Sequence, residues 1–248
     1  MINQTYLAGQ YLAAASISFL KKEADDSHTN LGFSTEDGCL STRPLNASGD
    51  VLALNYNTFS LEWRSTNARE TFRLDGSTHE EVVRWLERMT QNSDLDKAYS
   101  YAFHYEPTYS MTSGFTFKLV DPGRLRELMH FRILAQLVLR SFLEEQKLTS
   151  EIRIWPHHFD TGAFASFQDD SGRAVGLGLS IPDTVVNDFY FYISVYEGHD
   201  ALDTSSFTEL TQGEWRSTGF KGAVLPATGT NRSTAGDFFK EAMEAYKK

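Results

Sequence analysis

The stretch Val51-Leu52-Ala53-Leu54-Asn55-Tyr56-Asn57-Thr58-Phe59-Ser60-Leu61-Glu62-Trp63-Arg64 decides how the fold is read. Two short runs with strand chemistry, 51–54 and 59–64, flank 55–58, where turn-forming residues dominate. The same grammar extends outward. Residues 29–33, 39–42 and 70–74 are further candidate strands, separated by Glu36-Asp37-Gly38 and by the polar stretches 46–50 and 65–68. Strands this short and this evenly punctuated predict an antiparallel meander. Asp75-Gly76 ends it, Ser77 and Glu80 have capping-box spacing, and Val82, Leu86 and Met89 share a helical face. A helix over 78–90 follows. On the other side, the apolar run 11–20 predicts a helix packed on the body and ending near Lys22. That run has no basic residue before it and is far shorter than the ~20 apolar residues of a membrane span, so it is read as neither a signal peptide nor an anchor.

Beyond residue 90 the pattern changes before it repeats. Tyr99, Tyr101, Phe103 and Tyr105 alternate with small or polar residues, which predicts an edge strand or extended loop, and 115–120 reads as another short strand. Asp121-Pro122 then places an Asp at the N-cap and a Pro at the first helical position, opening a long, largely buried helix to about Gln146. On it Arg132, Gln136 and Arg140 form a narrow polar stripe, read as a surface stripe with an anion pocket as the alternative. Candidate strands at 151–155, 161–167, 174–181, 188–196 and 220–225 precede a closing amphipathic helix at 233–246. The expected fold class is therefore α+β: one unit of antiparallel sheet packed by helices. Its halves, 1–120 and 121–248, can be read as a pseudo-repeat, echoed locally by Leu31-Gly32-Phe33-Ser34 and Leu177-Gly178-Leu179-Ser180.

Composition narrows the function classes. The 248 residues carry 23 Lys+Arg against 33 Asp+Glu, a net charge of −10, and both halves share the acidic excess. Such a surface suits neither nucleic acid nor an anionic membrane. The single cysteine, Cys39, excludes an internal disulfide framework, a CxxC pair and a Cys-rich zinc site, which fits a cytoplasmic protein.

The densest group of chemically capable residues is Trp155-Pro156-His157-His158-Phe159-Asp160. Imidazole and carboxylate serve both as acid–base groups and as metal ligands, so His157, His158 and Asp160 are the catalytic candidates and His158 and Asp160 the metal candidates. No HExxH spacing supports a metal, and adjacent histidines also cap strand ends. Other histidines able to complete a site are His28, His79, His104 and His199. Tyr190 and Tyr192 lie on the phenolic face of the 188–196 strand, which suits a flat polar ligand such as a sugar or nucleoside, or simply a second packed face. With Trp155 and His28 they complete the ligand-binding candidates. Gly213, Gly219, Gly222 and Gly229 read as hairpin glycines, since no phosphate-loop spacing accompanies them. There is no GxSxG elbow either.

Several segments together resemble an uncharacterised bacterial family, one of the domains of unknown function. They are Asp26-Ser27-His28-Thr29-Asn30-Leu31-Gly32, Leu40-Ser41-Thr42-Arg43-Pro44-Leu45, the WPHHFD block at 155–160, Phe189-Tyr190-Phe191-Tyr192, and Gly219-Phe220-Lys221-Gly222-Ala223-Val224-Leu225-Pro226. The block is similar to the family's WPHHFD-like or FWGSFDLA-like signature, with Thr161-Gly162 departing from the residues that usually follow. This resemblance implies relatives but lends no activity and no cofactor. The function expected is binding of a small polar molecule in a cleft near the 155–160 segment. The rivals are a metal-assisted or acid–base hydrolase using the same His and Asp residues, and an interaction protein without pocket chemistry.

Overall fold

The computed structural model describes residues 1–247, and the chain is α+β with two antiparallel sheets. It divides into two compact units: Met1–His130 with Ile154–Phe159, and Phe131–Arg153 with Asp160–Lys248. The first boundary lies inside a helix.

In unit 1, helix α1 (Ile2–Phe19) starts well before the apolar run that predicted it and stops three residues short of Lys22. From Thr5 to Ser16 it is buried on every side. After a 3-10 turn at Ser27–Thr29 come β1 (Gly32–Ser34), β2 (Cys39–Ser41), β3 (Val51–Asn55), β4 (Ser60–Arg64) and β5 (Arg69–Arg73). They form the expected meander in sequence order. Its register sets Leu40 opposite Leu54 and Leu52 opposite Trp63. All four side chains are buried, and α1 packs against β3. On the other face stands Glu62, also buried, opposite Ala53. Its carboxylate accepts from Asn55 (2.8 Å), Arg64 (2.7 Å) and Arg69 (2.5 Å). Burial alone would raise its pKa; the three donors outweigh burial and hold it below the usual carboxylate range.

Helix α2 (His79–Gln91) is capped one residue later than the spacing predicted. Thr78 and Glu81, not Ser77 and Glu80, make the reciprocal box, because Ser77 turns its hydroxyl back to the Arg73 carbonyl. Residues 93–120 contain no ladder strand. The alternation at 99–105 is real, with inward and outward side chains in turn, but no strand pairs with it. Thr116 contributes a single bridge to Thr78 instead of a strand at 115–120. Helix α3 (Pro122–Gln146) begins as predicted, Asp121 Oδ1 accepting from the Gly123 and Arg124 amides at 2.8 and 3.1 Å. Its polar stripe is not a surface stripe. Arg132 and Gln136 are 1% and 5% exposed, and only Arg140 reaches solvent.

The strand β6 (Arg153–Trp155) returns the chain to unit 1, where Ile154 and Leu31 exchange backbone hydrogen bonds at 2.9 Å. Unit 2 then holds β7 (Asp160–Ser166), β8 (Arg173–Ser180), β9 (Tyr190–Glu197), β10 (Asp200–Ala201), β11 (Glu214–Arg216) and β12 (Gly222–Pro226). Their order is β11-β12-β9-β8-β7, with β10 beside β9. Phe191, Ile193 and Val195 of β9 point into the core. Helix α4 (Arg232–Tyr246) packs against β9 and β12 through Phe238, Phe239 and Ala242, its first turn capped by Asn231 accepting from the Thr234 amide. The Gly222 backbone passes so close to Ile193 that an added Cβ would lie 2.5 Å from its carbonyl oxygen. No helix among the described residues is long and apolar enough to cross a membrane.

Candidate functional site

The 155–160 signature is a tight turn, and unit 1 holds it by its main chain. Phe159 donates its amide to the Trp155 carbonyl at 2.6 Å and sits in the left-handed region at φ 61°. That region is costly for a side-chain-bearing residue. The ring offsets the cost: it is fully buried, lies edge-on to Tyr6 at 5.6 Å, and rests where α1 has no side chain. A Cβ on Gly9 would meet it at 2.7 Å. Phe59 closes the turn between β3 and β4 in the same left-handed way, again with its ring buried.

Two residues one helical turn apart on α1 satisfy the turn's carbonyls. Gln10 donates to the Pro156 oxygen at 2.9 Å and accepts from the Tyr105 hydroxyl at 2.6 Å. Tyr6 donates to the His157 oxygen at 3.3 Å while accepting the Thr108 amide, and the Thr108 hydroxyl reaches the same oxygen at 3.1 Å. The backbone is thus fixed while the imidazoles of His157 and His158 remain exposed, their rings 4.4 Å apart. Neither ring makes a hydrogen bond among the described residues.

Further aromatic groups extend this surface. Tyr105 lies 5.9 Å from the His157 ring and 5.2 Å from His104, which stacks on His28 at 6.2 Å. His104 Nε2 is 3.2 Å from Asp26, and His28 Nδ1 accepts the Glu23 amide at 3.3 Å. The pKa of His157 is pushed down to about 4, first by partial burial and then by the neighbouring imidazoles of His158 and His104, with Asp26 opposing. Burial also lowers that of His28. At neutral pH both are neutral rings, each carrying one donor and one acceptor nitrogen.

Asp160 belongs to a different set of contacts, in unit 2. It is 5% exposed and accepts the Tyr192 hydroxyl. Burial, reinforced by that carboxylate, raises the phenol well above its ordinary pKa, so Tyr192 remains the donor. The phenol crosses bare backbone: a Cβ on Gly178 would meet the Thr161 carbonyl at 2.5 Å and the Tyr192 oxygen at 2.8 Å. Beside Asp160, Thr161 accepts from the buried Arg132 guanidinium at 2.8 Å. Tyr190 donates to Asp183 at 2.8 Å. Both strand tyrosines named as ligand candidates therefore spend their hydroxyls inside the protein.

Of the candidates, the structure places Trp155, His157, His158 and His28 in unit 1, and Asp160, Tyr190 and Tyr192 in unit 2. Among the described residues no three His, Cys, Asp or Glu side chains are grouped to hold a metal ion. Sequence reasoning missed Tyr6, Gln10, Tyr105 and Thr108. The signal available was Gln10 itself, an amide one turn from a tyrosine, set in the stretch 7–15 of α1 whose other residues are small, apolar or aromatic. No protein-family model, curated protein or solved structure matches this chain.

Proposed function

We propose that the protein binds a small polar molecule on unit 1, with His157 and His158 as the principal contacts and Tyr105 and His104 alongside. The observation that supports this most directly is the division of labour in the turn. Its carbonyls are taken up by Gln10, Tyr6 and Thr108, whereas its two imidazoles stand exposed, without hydrogen-bond partners among the described residues. Two neighbouring imidazoles flanked by a phenol offer hydrogen-bonding nitrogens beside flat rings, which suits a hydroxyl-bearing ligand such as a sugar or nucleoside. The same proposal takes in membership of the bacterial family named above and a cytoplasmic setting, supported by the signature block and by the one buried, free thiol of Cys39.

The test is imidazole-resolved NMR on the full chain, titrated with glucose, ribose, adenosine and acetate. Saturable shifts of the His157 and His158 ring signals with a hydroxyl-bearing probe are expected, together with heat of binding by calorimetry that is lost in the double variant His157→Ala/His158→Ala. That variant should melt with the parent, since the rings make no hydrogen bond among the described residues. If every probe leaves the ring signals unmoved, or the double variant unfolds, the turn is structural and this reading falls.

A further inference from the structure

We propose that His28 is an acid-operated latch: its neutral ring closes the loop 21–30 of unit 1 on itself, and proton uptake at Nδ1 opens that loop. Residues 21–25 are exposed, and within 21–30 only His28 and Thr29 are buried. His28 is 6% exposed, and its Nδ1 accepts the Glu23 amide at 3.3 Å. The Asp26 amide donates to the Glu23 carbonyl at 3.2 Å, so Glu23 is held on both sides. The Thr29 amide and hydroxyl reach the Asp26 carbonyl at 3.0 and 2.9 Å, and the Asn30 amide reaches that of Ser27 at 3.2 Å. A ring nitrogen that accepts an N–H carries no proton, so the neutral ring bears its proton on Nε2. The one lone pair left for an incoming proton is the one already spent on Glu23. Once it is taken, the imidazolium points an N–H at another N–H, and a half-turn of the ring only puts carbon there. Either way the hydrogen bond is lost.

The surroundings resist that charge. His104 stacks on His28 at 6.2 Å, and Asp26 is shared, Oδ2 lying 3.2 Å from His104 Nε2 and Oδ1 3.9 Å from Lys22. Helix α1, on which the 27–29 turn packs, contributes no charged side chain. Burial disfavours the charged ring most; Asp26 opposes burial, His104 and Lys22 reinforce it, and Glu23 opposes it, the balance lying below the ordinary 6.5. An open loop with an ordinary imidazole binds the proton better than the closed one, so acidification below 6.5 favours opening. Opening withdraws His28 from the face of His104 and removes one edge of the histidine surface described above. The latch does not depend on a ligand there, and its test uses none.

The test is nitrogen-resolved NMR of the full chain, followed from about pH 7.5 to about pH 4.5. At the upper end Nε2 of His28 should carry the proton and Nδ1 should be bare. On acidification the ring should gain its second proton with a midpoint below 6.5, and the Glu23 amide signal should move in step. Across the same transition the Thr29 and Asn30 amides should lose about tenfold or more of their protection against exchange. His104→Gln should raise the midpoint and Asp26→Asn should lower it, opposite responses that a merely structural histidine would not give. His28→Asn, whose Oδ1 takes the place of Nδ1 and does not titrate, should hold the loop closed throughout. Three results overturn the proposal: Nδ1 rather than Nε2 carries the proton at the upper end; the ring titrates while the Thr29 and Asn30 amides keep their protection; or the loop amides of His28→Asn respond to pH as those of the parent do. The first two need no variant, so they decide the matter whether or not His28→Asn folds.

Discussion

Phe159 shows how one residue can hold a costly backbone conformation. At φ 61° an L-residue is disfavoured by about 1–2 kcal/mol, and the buried ring offsets this. Cutting the ring away separates the two contributions. Phe159→Ala should lose about 3–5 kcal/mol, the range for a buried phenyl. Phe159→Gly should lose no more than the Ala variant, the reverse of the usual order, because glycine enters this region freely. Denaturant melts of the two variants decide it; an Ala variant clearly more stable than the Gly variant would contradict the turn geometry. His157 yields a second result at this scale. Its folded pKa of about 4 lies below the ordinary 6.5, so between those values the unfolded chain binds more protons than the folded one. Stability should therefore fall as pH drops from 6.5 towards 4. His157→Gln should flatten that slope, and the His157 ring signal should titrate with a midpoint near 4 while the other rings set the comparison.

Among the elements, α3 is the firmest test of the core of unit 2. Leu134 is 8% exposed on a helix whose Phe131 packs on Phe189 at 4.7 Å. Leu134→Asp buries an unpaired carboxylate at a cost of several kcal/mol, comparable with the whole stability of a domain, and should abolish the folded circular dichroism signal. The start of this helix was legible because Asp121-Pro122 acts locally, through two amides next to it in the chain. The meander was legible for the same reason, its turns being written in Asn, Asp and Gly. What resisted reading was decided at a distance. The Arg132 stripe looked solvent-exposed because arginine is rarely buried, and only the Thr161 hydroxyl, 29 residues on, shows otherwise. The 99–105 alternation carries strand periodicity, yet a strand also needs a neighbour, and the sequence of one segment cannot supply it. At the candidate site, the histidines announced themselves, whereas Tyr6 and Gln10 precede the apolar run 11–20 from which the helix was read. Asp160, two residues after His158, turned out to serve the Tyr192 phenol.

At the scale of the whole molecule, the chain enters unit 1, leaves within α3, returns for six residues and leaves again. Unit 1 therefore cannot be excised as one continuous piece. A fragment of residues 1–130 keeps α1, the meander and α2 but loses the 154–159 segment. Gln10 and Tyr6 would then face inward without the Pro156 and His157 oxygens, and the buried Phe159 ring would be missing. Each stranded polar group costs about 1–3 kcal/mol, and the lost ring adds several more. The fragment should be unfolded or molten by near-ultraviolet circular dichroism. Adding a synthetic peptide spanning 150–163 should restore part of the signal; a cooperative melt of the fragment alone would show that the returning segment is dispensable.

A turn gripped by its carbonyls and by one buried ring is indifferent to the two imidazoles it displays. Positions 157 and 158 are therefore free to drift: descendants of this gene can exchange either imidazole for almost any residue without forfeiting the fold, while Phe159 and Gly9 cannot change independently. In a lineage of such sequences, the second pair should vary together or not at all. Histidine at 157 and 158 would persist only where some task rewards it, so the inheritance of those two positions separates selection for use from selection for shape.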